Sequence, residues 1–62
     1  MDIMTIILTN RPIMYHGQKW QATKSFDDGD VKLINDNDEL MYIKKNKLME
    51  AINNGWANFQ NN

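Results

Sequence analysis

The stretch QKWQATKSFDDGDVKLINDNDELMYI, Gln18 to Ile43, decides the fold. Two polar clusters, Asp27-Asp28-Gly29-Asp30 and Asp36-Asn37-Asp38, divide it into three runs of β-branched, aromatic and alternating residues. Alternation with a period of two marks a strand whose faces differ, so the stretch reads as three consecutive antiparallel strands. Asp28-Gly29 suits a two-residue type I′ turn, in which both central residues take positive φ and the twist matches the flanking strands. Centred there, the turn pairs Asp27 with Asp30, Phe26 with Val31, Lys24 with Leu33 and Ala22 with Asn35. Trp20, Ala22, Phe26, Val31 and Leu33 then share one face. Gln21, Thr23, Ser25 and Lys32 share the other, with Ile34 its one apolar member. This is the pattern of a sheet covered on one side.

The second turn leaves the register open. A two-residue loop at Asp36-Asn37 places Leu40 and Tyr42 on the core face, and a three-residue loop places Met41 and Ile43 there. A shift of one residue exchanges the faces of the whole strand, and here both are apolar. The first register is the one expected.

Working outward, Ile3 to Leu8 is β-branched and reads as a further strand; a short helix is the alternative, but no cap is evident before it. Pro12 holds Arg11 extended and suits a strand's first residue or an edge. Ile13 to Tyr15 follows as a short strand, and His16-Gly17 is its hairpin turn, pairing Ile13 with Trp20. His16 is on this reading a turn residue and not a catalyst. After Ile43 the period lengthens. Asn46 is a suitable N-cap, and Leu48, Met49, Ile52, Trp56 and Phe59 recur at helical spacing. A helix from Lys47 to about Gln60 is expected, weakened or kinked at Gly55, with Asn61-Asn62 fraying; a helix ended by Gly55, or a hairpin at Asn54-Gly55, are the alternatives. The fold class is α+β: a small antiparallel meander of about four strands with one C-terminal helix on its Trp20 face. An SH3-like small barrel with the same helix is the alternative.

At 62 residues the chain is expected to be a single domain, residues 1–62. A domain of this size buries only about 60% of its unfolded surface. It has no cysteine, hence no disulfide and no thiolate metal cage, and one histidine, which leaves carboxylates as the ligands for any metal. No metal and no cofactor are expected. The formal net charge of −1 gives no broad attraction to nucleic acid or membranes. Acid gathers in the turns, at Asp27, Asp28, Asp30, Asp36, Asp38 and Glu39, while Lys44, Lys45 and Lys47 cluster after the last strand. No apolar run approaches the ~20 residues that span a bilayer, and Met1 to Leu8 lacks the features of a leader. A cytoplasmic location in a host cell is expected. Nine Asn, seven Ile and six Lys against one Arg suggest AT-rich coding, common in phages and mobile elements of low-GC bacteria.

No catalytic constellation is present. Ser25 sits mid-strand away from His16, and the carboxylate pairs Asp28/Asp30 and Asp36/Asp38 lie in open turns without calcium-loop spacing. An enzyme is not expected, which leaves binding. The acidic turn Asp36-Asn37-Asp38-Glu39 and the segment LMEAINNGW, Leu48 to Trp56, resemble certain small phage-encoded inhibitors of type II CRISPR nucleases. In those an acidic meander runs into a helix ending in Asn-Gly-Trp. The resemblance implies a non-enzymatic inhibitor or modulator of a host protein, with Asp36, Asp38, Glu39, Trp56 and Phe59 as the partner-binding set. The meander-plus-helix pattern is also similar to coactivator-type single-strand DNA-binding domains, which act as dimers. On that second reading Lys19, Lys24, Lys32, Lys44 and Lys45 hold the nucleic acid among exposed aromatics. A symmetric homodimer is expected on either, because Ile3 to Leu8 and Leu40 to Ile43 are apolar on both sides of a strand and one helix covers one face.

Overall fold

The computed structural model describes residues 2–60, so the expected fraying of Asn61-Asn62 lies outside the described residues. Helix α1 (Ile3–Thr9) precedes strands β1 (Ile13–Tyr15), β2 (Gln18–Ser25), β3 (Asp30–Asn35) and β4 (Leu40–Lys44). Helix α2 (Lys45–Asn53) and strand β5 (Ala57–Phe59) follow. The sheet is antiparallel throughout, in the order β4-β3-β2-β1-β5. It is open, with β4 and β5 at its edges, so the SH3-like barrel does not form. The α+β class, the meander and the C-terminal helix are as expected.

Both helices lie on one face. Ile3 and Ile6 of α1 and Leu48 and Ala51 of α2 join Ile13, Trp20, Ala22, Val31, Leu33 and Ala57 in a single buried cluster. Met41 and Ile43 pack against it from β4. α2 leaves the sheet at one edge and delivers β5 to the other, so it spans the covered face. The opposite face carries no helix.

Four expectations are corrected. Ile3 to Leu8 is helical because Asp2 caps it: its carboxylate accepts from the Thr5 N–H and hydroxyl, each at 2.9 Å. Asn10, in the left-handed region at φ +54°, ends the helix. Ile3, Ile6 and Ile7 then face the core at helical spacing, which removes the two-sided apolar strand from the case for a dimer. The hydrogen bonds from Thr5 hold the Asp2 carboxyl below its ordinary value, so this cap is lost as pH falls into the acid range.

The β2–β3 loop has three residues, not two. Gly29 N–H donates to Phe26 C=O at 3.1 Å, and Phe26 N–H to Asp30 C=O at 2.8 Å. Gly29 sits at φ +94°, the left-handed position that closes a type I turn with a bulge. Ser25 therefore opposes Val31, and the register shifts between Ala22 and Lys24, so that Ala22 opposes Leu33 and Trp20 opposes Asn35. Thr23 is the inserted residue, its hydroxyl donating to Lys32 C=O at 3.2 Å. The bulge keeps Trp20 and Ala22 in the core and turns Phe26 to the other face.

The β3–β4 loop is also of three residues, with Asp38 at φ +62° where the first loop has Gly29. Met41 and Ile43 accordingly face the core, and Leu40 and Tyr42, 51% and 56% exposed, do not. The sequence-expected register is reversed here.

Helix α2 begins at Lys45, whose N–H donates to Gly29 C=O, with Lys44 and not Asn46 as N-cap. It stops at Asn53. Trp56 N–H donates to Ala51 C=O and Gly55 N–H to Ile52 C=O, with Gly55 at φ +79°. This paired arrangement satisfies the last carbonyls and forbids continuation. The chain beyond extends and pairs Ala57 with Tyr15 and Phe59 with Ile13, giving a fifth strand where helix was expected.

Leu48→Ala should cost about 2–5 kcal/mol, since Leu48 is fully buried between α2 and the sheet. In a domain with roughly 5 kcal/mol in all, that approaches unfolding. Leu40→Ala on the uncovered face should stay within about 0.5 kcal/mol. Urea denaturation of the two variants compares them directly, and equal losses would contradict the two-layer arrangement.

Candidate functional site

The uncovered face is built by alternation along the five strands. Opposed residues point to the same side, so the register places Lys24, Lys32 and Tyr42 in one row across β2, β3 and β4. Phe26, Asp30 and Lys44 form the row toward the β2–β3 turn. Gln21, Ile34 and Leu40 form the row on the other side. Lys19, Met14 and Asn58 complete the face on β2, β1 and β5.

Phe26 and Tyr42 meet with ring centroids 6.0 Å apart and planes at 51°. That spacing and tilt make one continuous aromatic platform and leave no slot between parallel rings. The Lys24 ammonium stands 5.0 Å from the Phe26 centroid, a cation–π contact that holds the lysine stem against the ring. Among the described residues the one carboxylate on the face, Asp30, pairs with Lys44 at 2.7 Å. Its hydrogen bond raises the Lys44 pKa above the ordinary lysine value, so that side chain stays charged at neutral pH.

Charge is thus sorted. Lys19, Lys24, Lys32 and Lys44 lie on the uncovered face, whereas Asp27 and Asp28 lie in the turn at one end and Asp36, Asp38 and Glu39 in the turn at the other. Of the five lysines singled out from the sequence, four share the face. Lys45 begins α2 and does not.

The expected partner-binding set is not assembled. Asp36, Asp38 and Glu39 sit in or beside the β3–β4 loop. Trp56 lies at the β1–β5 side of the same end, 64% exposed, and four strand intervals separate the two edges, about 19 Å. Phe59 packs against the core at the far end of β5, under the Arg11 guanidinium at 4.7 Å. It is a structural residue.

Sequence reasoning missed Asn35, which is 7% exposed and fully satisfied. Its Oδ1 accepts from the N–H groups of Asn37 and Glu39, each at 2.9 Å. Its Nδ2 donates to Gln18 Oε1 at 2.5 Å and to Glu39 Oε1 at 2.9 Å. One side chain thereby fixes the β3–β4 loop and ties it to β2. The signal was present in Asn35-Asp36-Asn37-Asp38, since an asparagine opening a polar turn commonly bonds the backbone two residues on. Phe26 and Tyr42 were missed as a pair because both were assigned to the core.

Among the described residues no group of three or more His, Asp or Glu side chains is placed to hold a metal ion, and no helix is long and apolar enough to cross a membrane. No protein-family model, curated protein or solved structure matches this chain.

Asn35→Ala removes four hydrogen bonds at a buried position and leaves backbone N–H groups without partners. It should cost about 1–3 kcal/mol. Amide exchange at Asn37 and Glu39 should quicken before that of β2, and unchanged exchange there would contradict the assigned role of Asn35.

Proposed function

We propose that the protein is a non-enzymatic module that binds single-stranded nucleic acid across the uncovered face of its sheet, in the cytoplasm of a host cell. The observation that carries this reading is the union, on one face, of the Phe26–Tyr42 platform with Lys19, Lys24, Lys32 and Lys44. Bases stack on aromatic rings while phosphates lie beside ammonium groups, which is how single strands are held without regard to sequence. A duplex hides its base faces and gains nothing from the platform. The net charge of −1 does not oppose this, because Asp30 is paired with Lys44, and Asp27, Asp28, Asp36, Asp38 and Glu39 lie in or beside the turns at the ends of the sheet. Ile34 and Leu40 extend the apolar floor beside Tyr42 and offer contact to sugar and base.

Inhibition of a host protein is the second reading. It is supported by the exposure of Trp56 and by the acidic β3–β4 loop, at the same end of the sheet. It makes no use of the lysine face, so the two readings separate by mutation.

Binding of a labelled thymidine oligomer, followed by anisotropy, should weaken as salt rises, with a slope of about −0.7 per phosphate neutralised. Lys32→Ala should reduce that slope by about one contact. Tyr42→Ala should cost about 1–3 kcal/mol of stacking and leave the slope unchanged. Absence of binding at low salt, or binding indifferent to both substitutions, would overturn the reading.

A further inference from the structure

A notch of about 340 Å³ opens at the end of the sheet, between the β1–β2 and β3–β4 turns, lined by Gly17, Gln18, Lys19, Asn35, Asp36 and Asn37. It lies at the lower limit of volumes that take small molecules. Lys19 belongs to the uncovered face, whereas Gln18 and Asn35, opposite Tyr15 and Trp20, belong to the covered one, so the notch adjoins the track at Lys19. A strand running along the lysine face meets the notch at Lys19.

Two side chains of the notch, Asn35 and Gln18, hold each other in place. Asn35 spends both its oxygen acceptor sites and both its N–H groups on the loop and on Gln18, so it positions others and contacts no ligand. With the Gln18 oxygen so engaged, the Gln18 amide nitrogen makes no hydrogen bond among the described residues and keeps its donors for a ligand. Asp36 supplies a carboxylate acceptor and Asn37 an amide on the fixed loop, and Lys19 a cation at the mouth. The set is therefore one carboxylate beside amide donors.

Resting on the single-strand reading above, we propose that this notch is a base-reading subsite for guanine. Of the common bases, guanine alone shows two adjacent donors, N1–H and the N2 amino group, next to an acceptor, O6. A carboxylate accepts both donors together, and an amide N–H from Gln18 or Asn37 donates to O6. Cytosine and adenine present one donor beside a ring acceptor, which faces the Asp36 carboxylate with a lone pair. Uracil and thymine offer a single donor between two carbonyl oxygens. Watson–Crick edges are free for such contacts in a single strand.

The test compares a thymidine oligomer of about eight nucleotides, within the range held by small single-strand modules, with the same oligomer carrying one central guanosine or one inosine. Inosine lacks the N2 amino group. Guanosine should bind about tenfold more tightly than thymidine at that position, the discrimination of a good bidentate contact. Inosine should lose most of the gain. Asp36→Asn should abolish the guanosine-to-thymidine ratio; the ratio is the readout, because removing a carboxylate strengthens binding of any polyanion. Asp36 is exposed, so the variant should melt as the parent does. Equal binding of the oligomers, or a preference that survives Asp36→Asn, would overturn the subsite and leave the stacking face standing. No binding of any oligomer would overturn both.

Discussion

The face that defines this molecule depends on one inserted residue in β2. The β2–β3 loop, closed by Gly29 in the left-handed region, sets Ser25 opposite Val31. Counting back from there without interruption, Thr23 and Gln21 would point into the core and Trp20 and Ala22 out of it. Burying the indole is worth far more than a regular ladder, and the conflict is one residue wide. The bulge at Thr23 absorbs it, and the Thr23 hydroxyl bonds the Lys32 carbonyl at the irregularity. The consequence runs the other way on the turn side of the bulge. Phe26 leaves the core, meets Tyr42 and joins the lysines of the uncovered face.

The two hairpins of the meander share a loop type and differ in how it is fixed. The first relies on Gly29, with Asp28 Oδ1 accepting from Asp30 N–H at 3.0 Å. The second has Asp38, a non-glycine residue, in the same left-handed position, and there buried Asn35 supplies the hydrogen bonds that hold the turn. Strain from a side chain at positive φ persists where surrounding contacts over-determine it. The stiffened loop is also the one that lines the notch, so the element carrying the extra order coincides with the element offering polar contacts.

Much of the fold was legible in the residues. The hairpin at His16-Gly17, the three-strand meander and an apolar-faced helix after Ile43 all follow from local periodicity and turn chemistry, and the structure has them. What failed was parity. Asp-Gly is compatible with two- and three-residue loops, and in β4 Leu40 and Tyr42 are as apolar as Met41 and Ile43, so alternation could not choose. The lysine set was legible as a list, and four of its five members fall on one face, but the aromatics that give it meaning were hidden by the same parity error. The N-terminal helix was missed because Asp2, the cap, stands at the second residue of an Ile-rich run that scores as strand. The fifth strand was missed because Trp56 and Phe59 continue the helical spacing past Gly55, while tertiary pairing with β1 decides their state.

The aromatic platform exists only if the Phe26 ring points away from the helices, and nuclear Overhauser contacts in the free protein measure that directly. The bulged register predicts contacts from the Phe26 ring protons to Tyr42 and to the Lys24 side chain, and none to Leu48 or Trp20. Contacts between Phe26 and the methyl groups of Val31 and Leu48, with Tyr42 remote, would mean an unbulged strand with Phe26 in the core. The aromatic platform, and the function drawn from it, would then be contradicted.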